Sequence, residues 1–201
     1  MNFTELYKTL LKYKYTVFCF DDLLKFFPSE KKNNLKVYIH RWKEKGMLTS
    51  LKRGLYELIY PKDSGIPDMY IANVLYSPSY VSLETALSNY SIIPEVSMAV
   101  TSITTKATRK FKNKHGLFIY HTVNPRAFNG YYIEKHGSFD IFIAEPEKAL
   151  VDYFYFNKPF KKNNLKDERM DTRAVMKLSR KKITRYAAQY KMDLRGLYAD
   201  T

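Results

Sequence analysis

The chain is 201 residues long, 45% hydrophobic and 16% aromatic, and carries 34 Lys/Arg against 20 Asp/Glu, a net charge of +14. That length buries a sizeable core without covalent staples, and Cys19, alone of its kind, excludes an intramolecular disulfide and is expected to be a buried, inert thiol in a reducing compartment. No apolar run approaches the ~20 residues that span a bilayer, and lysines interrupt the first residues where a secretory signal would be apolar, so a cytoplasmic protein without membrane association is expected.

In chain order, Leu6, Leu10 and Leu11 with Tyr7 sit at helical spacing behind Thr4, a candidate cap. "TVFCF" is rich in strand formers, and "DDLLKFF" opens with acids and stops at Pro28, as a second short helix does. A third helix, "SEKKNNLKVYIHRWKEKG", begins at a Ser29 cap and ends at Gly46, a natural left-handed terminator. Leu35, Tyr38, Ile39 and Trp42 form its core stripe, which leaves Asn33, Lys36, Val37 and His40 on the far side. "MLTSLKRGLYEL" then reads as a two-stranded hairpin, with Gly54 supplying the positive φ of the turn and Lys52 and Arg53 at the tip. "YPKDSGIP", residues 60–67, concentrates turn formers and reads as a linker.

Beyond the linker, "PDMYIANVL" and "SLETALSNY" read as short helices with Pro67 and Ser82 at their starts. "MAVTSIT", "LFIYHTV", "GYYIE" and "FDIFI" follow as four strands. "AEPEKALVDYFYF" is a helix opened by Pro146 and acids, the polar "NKPFKKNNLKDE" separates it from the tail, and the tail is helical again behind a Ser179 cap. The expected fold class is α+β: a winged helix-turn-helix over residues 1–62, then an α+β domain over residues 67–201 with a four-stranded antiparallel sheet, flanking helices and a basic helical tail.

Charge is uneven along the chain: 13 Lys/Arg against 7 Asp/Glu in residues 1–66, 9 against 8 in 67–160, and 12 against 5 in 161–201. Two basic ends around a nearly neutral middle suit a polyanion. In a winged helix-turn-helix the third helix enters the major groove and the wing lies on an adjacent groove. Asn33 has the chemistry to read adenine, Lys36 to reach guanine or phosphate, Val37 to touch a thymine methyl and His40 to bond the backbone. Lys31 and Lys32 at the helix start attract phosphate, and Lys52 and Arg53 track the wing's groove. Arg173, Lys177, Arg180, Lys181, Lys182 and Arg185 in the tail offer additional phosphate contacts or a solvated face.

Catalytic readings are weaker. Gly137-Ser138 before Asp140 is faintly like a nucleotidyltransferase, but no second aspartate follows two residues later. A nuclease would use Asp140, Glu145, Glu147 and Lys148, but adjacent Glu147 and Lys148 on a strand would point to opposite faces, and the Pro146 helix start argues against a strand there. The four histidines have no cysteine partners and no compact ligand spacing, so neither metal nor cofactor is expected. Phosphate-loop and nucleophile-elbow motifs are absent.

At Tyr80, Ser82, Ala86 and Leu87, and again at Ala144-Glu145-Pro146-Glu147-Lys148-Ala149-Leu150 with Asp152, the sequence resembles the AbiEi family, antitoxins of type IV toxin-antitoxin and abortive-infection systems. Lys52-Arg53-Gly54-Leu55-Tyr56 matches that family's wing and Phe128-Asn129-Gly130 its aromatic-glycine turn, so the likeness covers roughly residues 3–156. It implies a non-enzymatic autorepressor that binds inverted repeats in double-stranded DNA at its own promoter. It also implies control of a nucleotidyltransferase-like toxin without a stable complex. In the "EPEKAL" motif it leaves structural roles, with Lys148 paired to a neighbouring carboxylate and Ala149 and Leu150 packed on the sheet. The alternatives are a module that neutralises the toxin by direct contact, or a metal-dependent nuclease or nucleotidyltransferase.

Overall fold

The computed structural model describes residues 1–59, 65–94, 97–157 and 169–198. The chain is α+β and divides into two compact units, Met1–Pro67 and Asp68–Thr201. Most of the linker read at 60–67, and nearly all of the polar stretch at 157–168, lies outside the described residues.

The first unit runs α1 (Phe3–Lys12), β1 (Val17–Cys19), α2 (Phe20–Phe26), α3 (Lys32–Glu44), β2 (Leu48–Lys52) and β3 (Leu55–Leu58). Its core is Leu6 and Leu10 of α1, Phe18, Leu23 and Phe27, the α3 stripe, and Leu48 and Leu58 of the hairpin. The expected hairpin forms, β2 antiparallel to β3, but it does not stand alone: β1 adds to β3, giving a three-stranded antiparallel sheet in the order β1-β3-β2. "TVFCF" has no turn linking it to the hairpin, so its pairing is a long-range event that local pattern does not show.

Two helix starts also differ from the expectation. Asn2, not Thr4, caps α1 by accepting the Glu5 N–H at 2.9 Å. Ser29 falls in a turn closed by Glu30 N–H to the Phe27 carbonyl at 3.1 Å, and α3 begins only at Lys32 behind an uncapped Lys31. The far end of α3 is as expected: Gly46 adopts φ +65°, its N–H reaches the Lys43 carbonyl at 2.9 Å, and the Met47 N–H reaches Trp42 at 2.9 Å. These paired bonds close the helix in a Schellman arrangement, which aims the chain into β2.

The second unit carries α4 (Asp68–Leu75), β4 (Ser79–Val81), α5 (Leu83–Asn89), β5 (Ala99–Thr104), β6 (Arg109–Asn113), β7 (Gly116–Thr122), β8 (Tyr131–His136), β9 (Phe139–Ala144), α6 (Pro146–Phe156), α7 (Thr172–Met176) and α8 (Arg180–Gln189). Its sheet has six strands rather than four, in the order β6-β7-β5-β4-β9-β8, and is mixed rather than antiparallel, with β5/β7 and β4/β9 parallel. The four expected runs became β5, β7, β8 and β9. The added central strand, β4, is three residues long and wholly buried, too short for any alternation to register. The added outer strand, β6, reads "RKFKN" and stands mostly in solvent, so it needs no apolar face. Asn73 of α4 stitches helix to sheet, accepting the Phe142 N–H at 2.8 Å and donating to its carbonyl at 3.2 Å.

Candidate nucleic-acid interface

The phase of α3 is set by burial. Leu35, Ile39 and Trp42 are buried, and Tyr38 is half-buried, its ring stacked on Trp42 at 5.7 Å. Rotating 180° from that stripe reaches Asn33, Lys36, Val37 and His40, all exposed and within one ~100° sector of the helix. Val37 is 46% exposed, an apolar β-branched side chain in the middle of a polar face. This stripe offers an amide, a cation, a methyl pair and an imidazole over two turns, a set that can hydrogen-bond and contact base edges. Lys31 and Lys32 are exposed at the start of the helix, and the Lys32 ammonium sits 5.9 Å above the Phe20 ring.

The β2–β3 hairpin turns through two residues, Arg53 and Gly54, with Lys52 opposite Leu55. Gly54 adopts φ +80° and its carbonyl accepts the Phe20 N–H at 3.1 Å, which pins the tip to the start of α2. Arg53 is exposed at the tip, whereas Lys52 is half-buried on the strand. Cys19, expected to be buried, is half-buried at the N-cap of α2, where burial foremost and then Asp22 push its thiol up and keep it protonated.

In the second unit the tail cations separate. Arg173 is on α7, Lys177 follows it, and Arg180, Lys181, Lys182 and Arg185 are on α8, whose Ser179 cap accepts the Lys182 N–H at 3.4 Å. Lys182 is held by Glu145 at 3.1 Å, and Arg185 lies 4.8 Å above the Tyr186 ring while donating to its hydroxyl at 2.9 Å. Arg173, Lys177, Arg180 and Lys181 are exposed.

The residues of the two downstream motifs meet in one buried cluster. Asp152 accepts from Lys148 and from Tyr190 (2.6 Å) on one carboxylate oxygen, and from Ser82 (2.8 Å) and Tyr80 (3.2 Å) on the other. Lys148 also donates to the Tyr190 hydroxyl at 2.8 Å and lies 4.6 Å from that ring's centre. Burial pulls the Lys148 ammonium down from its ordinary range, and Asp152 offsets part of that fall. The Lys148–Asp152 pairing is an i, i+4 contact that the sequence spacing contains. Tyr190 had no such sign, because it arrives from α8.

The carboxylates weighed for metal chemistry are dispersed. Asp140 pairs with Lys135 at 3.2 Å, Glu145 with Tyr186 and Lys182, and Glu147 accepts the Ser179 N–H at 3.1 Å. Among the described residues no three His, Cys, Asp or Glu side chains converge as metal ligands, and no helix is long and apolar enough to cross a membrane. No protein-family model matches the chain, and no curated protein matches it.

Proposed function

We propose that this chain is a DNA-binding transcriptional autorepressor and the antitoxin of a type IV toxin-antitoxin system. The first unit acts as a winged helix-turn-helix, with α3 in the major groove and the β2–β3 wing on the adjacent groove. The observation that carries the reading is the exposed Asn33, Lys36, Val37 and His40 stripe, set opposite a buried one on a helix that leads directly into a cation-tipped hairpin. Base edges are read by such a face, and phosphates by cations around it.

The antitoxin assignment rests on the AbiEi resemblance. It is supported by the way its two downstream motifs interlock, Tyr80 and Ser82 from one and Lys148 and Asp152 from the other. Those residues are buried donors and acceptors with all contacts directed inward, which favours a scaffold over a catalytic centre.

The test is a salt-titrated gel shift on the gene's own upstream region beside scrambled DNA of equal length. Preferential binding that weakens steeply with salt, through counterion release, is the expected result. Equal affinity for both DNAs would remove the repressor reading and move direct toxin contact to the front.

A further inference from the structure

We propose that the outer β6 edge of the six-stranded sheet is a second phosphate-binding surface, supplying a sequence-independent share of DNA affinity through Arg109, Lys110 and Lys112. This rests on the DNA-binding reading above and adds a surface that the tail and wing do not contain.

Residues 104–116 hold five cations, Lys106, Arg109, Lys110, Lys112 and Lys114, and no carboxylate. Regional totals hide them, because the acids of the same segment balance the count. The fold leaves one acid near this edge, Asp68 of α4, 3.4 Å from His115 in the β6–β7 turn, and sends the acids of the strands to the far end of the sheet. β6 is the terminal strand, bonded to β7 alone, while Glu134, Asp140 and Glu145 belong to β8, β9 and the start of α6 at the other end of the sheet. Arg109, Lys110 and Lys112 are exposed and make no ion pair among the described residues, unlike Lys135, Lys148 and Lys182, which are bound to carboxylates.

Strand geometry spaces the charges. Arg109 projects from one face and Lys110 and Lys112 from the other, the two lysines about 7 Å apart, the axial rise of two phosphates along one DNA strand. The first face carries packed rings beside Arg109: Phe111 packs on Tyr76 (5.6 Å) and Tyr120 (5.7 Å), and the Lys106 ammonium lies 5.5 Å over Tyr76.

Lysines also guard open sheet edges against self-pairing. The opposite edge argues against that role here. β8 exposes Tyr131, Tyr132 and Ile133, and its lysine, Lys135, is engaged by Asp140. Edge protection would place the cations on β8, the apolar edge, whereas they concentrate on the edge with little apolar surface to guard.

The experiment uses the full chain, its upstream duplex and scrambled duplex, and the R109Q/K110Q/K112Q variant. The slope of log affinity against log salt should become shallower by about 2 to 3. Affinity should fall by the same factor on both DNAs, so that sequence preference is unchanged, and K110R/K112R should keep the wild-type slope. The single variants K110Q and K112Q, each expected to reduce the slope by about 1, keep the test decisive if the triple variant does not fold. A glutamine variant with the wild-type slope overturns the proposal. So does a variant that self-associates with its slope unchanged, which would assign the cations to edge protection. A wild-type chain that binds neither duplex instead overturns the DNA-binding reading itself.

Discussion

Replacing Lys148 by Met tests whether the buried cluster is a cooperative unit. Both Lys148 and Asp152 are fully buried, so the substitution strands a carboxylate out of reach of water. Removing one partner of a buried ion pair costs about 3 to 5 kcal/mol. Three hydroxyl donors, from Tyr190, Ser82 and Tyr80, still hold Asp152, which points to the lower end of that range. A loss of about 3 kcal/mol lowers the midpoint of thermal unfolding by about 10 °C for a unit of this size. The converse variant, Asp152→Asn, leaves an ammonium among phenol rings and frees its pKa to fall further. Between that lowered value and the ordinary 10.5 the unfolded chain holds a proton that the folded variant has shed, so the variant's stability rises with pH, and its deficit against the wild type shrinks until pH passes the wild type's own lowered value. Lys148→Met has no such recovery. Urea unfolding followed by circular dichroism, run as a double-mutant cycle at two pH values, measures all three effects, with a coupling of at least about 2 kcal/mol expected. A Lys148→Met cost below about 1 kcal/mol, or an additive cycle, would refute the argument.

Gly130→Ala should destabilise by about 3 kcal/mol, because its Cβ would lie 2.7 Å from the Tyr186 ring at φ +73°. Gly54→Ala meets nothing within 4 Å, and at φ +80° should cost only the left-handed penalty of about 1 to 2 kcal/mol; equal urea midpoints for the two variants would contradict this. Burial raises the Glu145 carboxyl, but hydrogen bonds from Tyr186 and Lys182 outweigh it and hold the group below its ordinary value of 4.5. Its contribution is therefore complete above that value and lost as pH falls through the lower folded one, and Tyr186→Phe should move acid unfolding to higher pH. On DNA, Arg53→Ala should weaken native and scrambled duplexes alike and reduce the salt slope by about 1, whereas Asn33→Ala should lose the distinction between them. Gel shifts that show the reverse pattern would exchange the roles of helix and wing.

The parts of the fold legible in the sequence are those fixed by short-range physics. Helix phase in α3 follows from four large side chains at 3.6-residue spacing, so the exposed stripe is already defined by the order of residues along the chain. Gly46 and Gly54 were legible because a left-handed φ has few other occupants. Ser82 shows where such rules stop. It occupies the N-cap position of α5, yet its hydroxyl donates to Asp152, 70 residues away, instead of capping. A buried carboxylate with one charged partner gains more from a further donor than a helix end gains from its cap, so the distant contact wins.

Charge was the least legible property, for the same reason. Sequence totals made the middle of the chain look neutral and its tail look free, but strand order decides which charges become neighbours. The start of α6 and α8 bring Glu145 to Lys182, which gives a tail lysine a carboxylate partner of its own. The order β6-β7-β5-β4-β9-β8 moves Arg109, Lys110 and Lys112 to one end of the sheet and Glu134 and Asp140 to the other. A cation's availability to a polyanion therefore depends on whether the fold gives it a carboxylate. Two lysines of equal standing in the sequence, Lys182 and Lys112, end with opposite prospects.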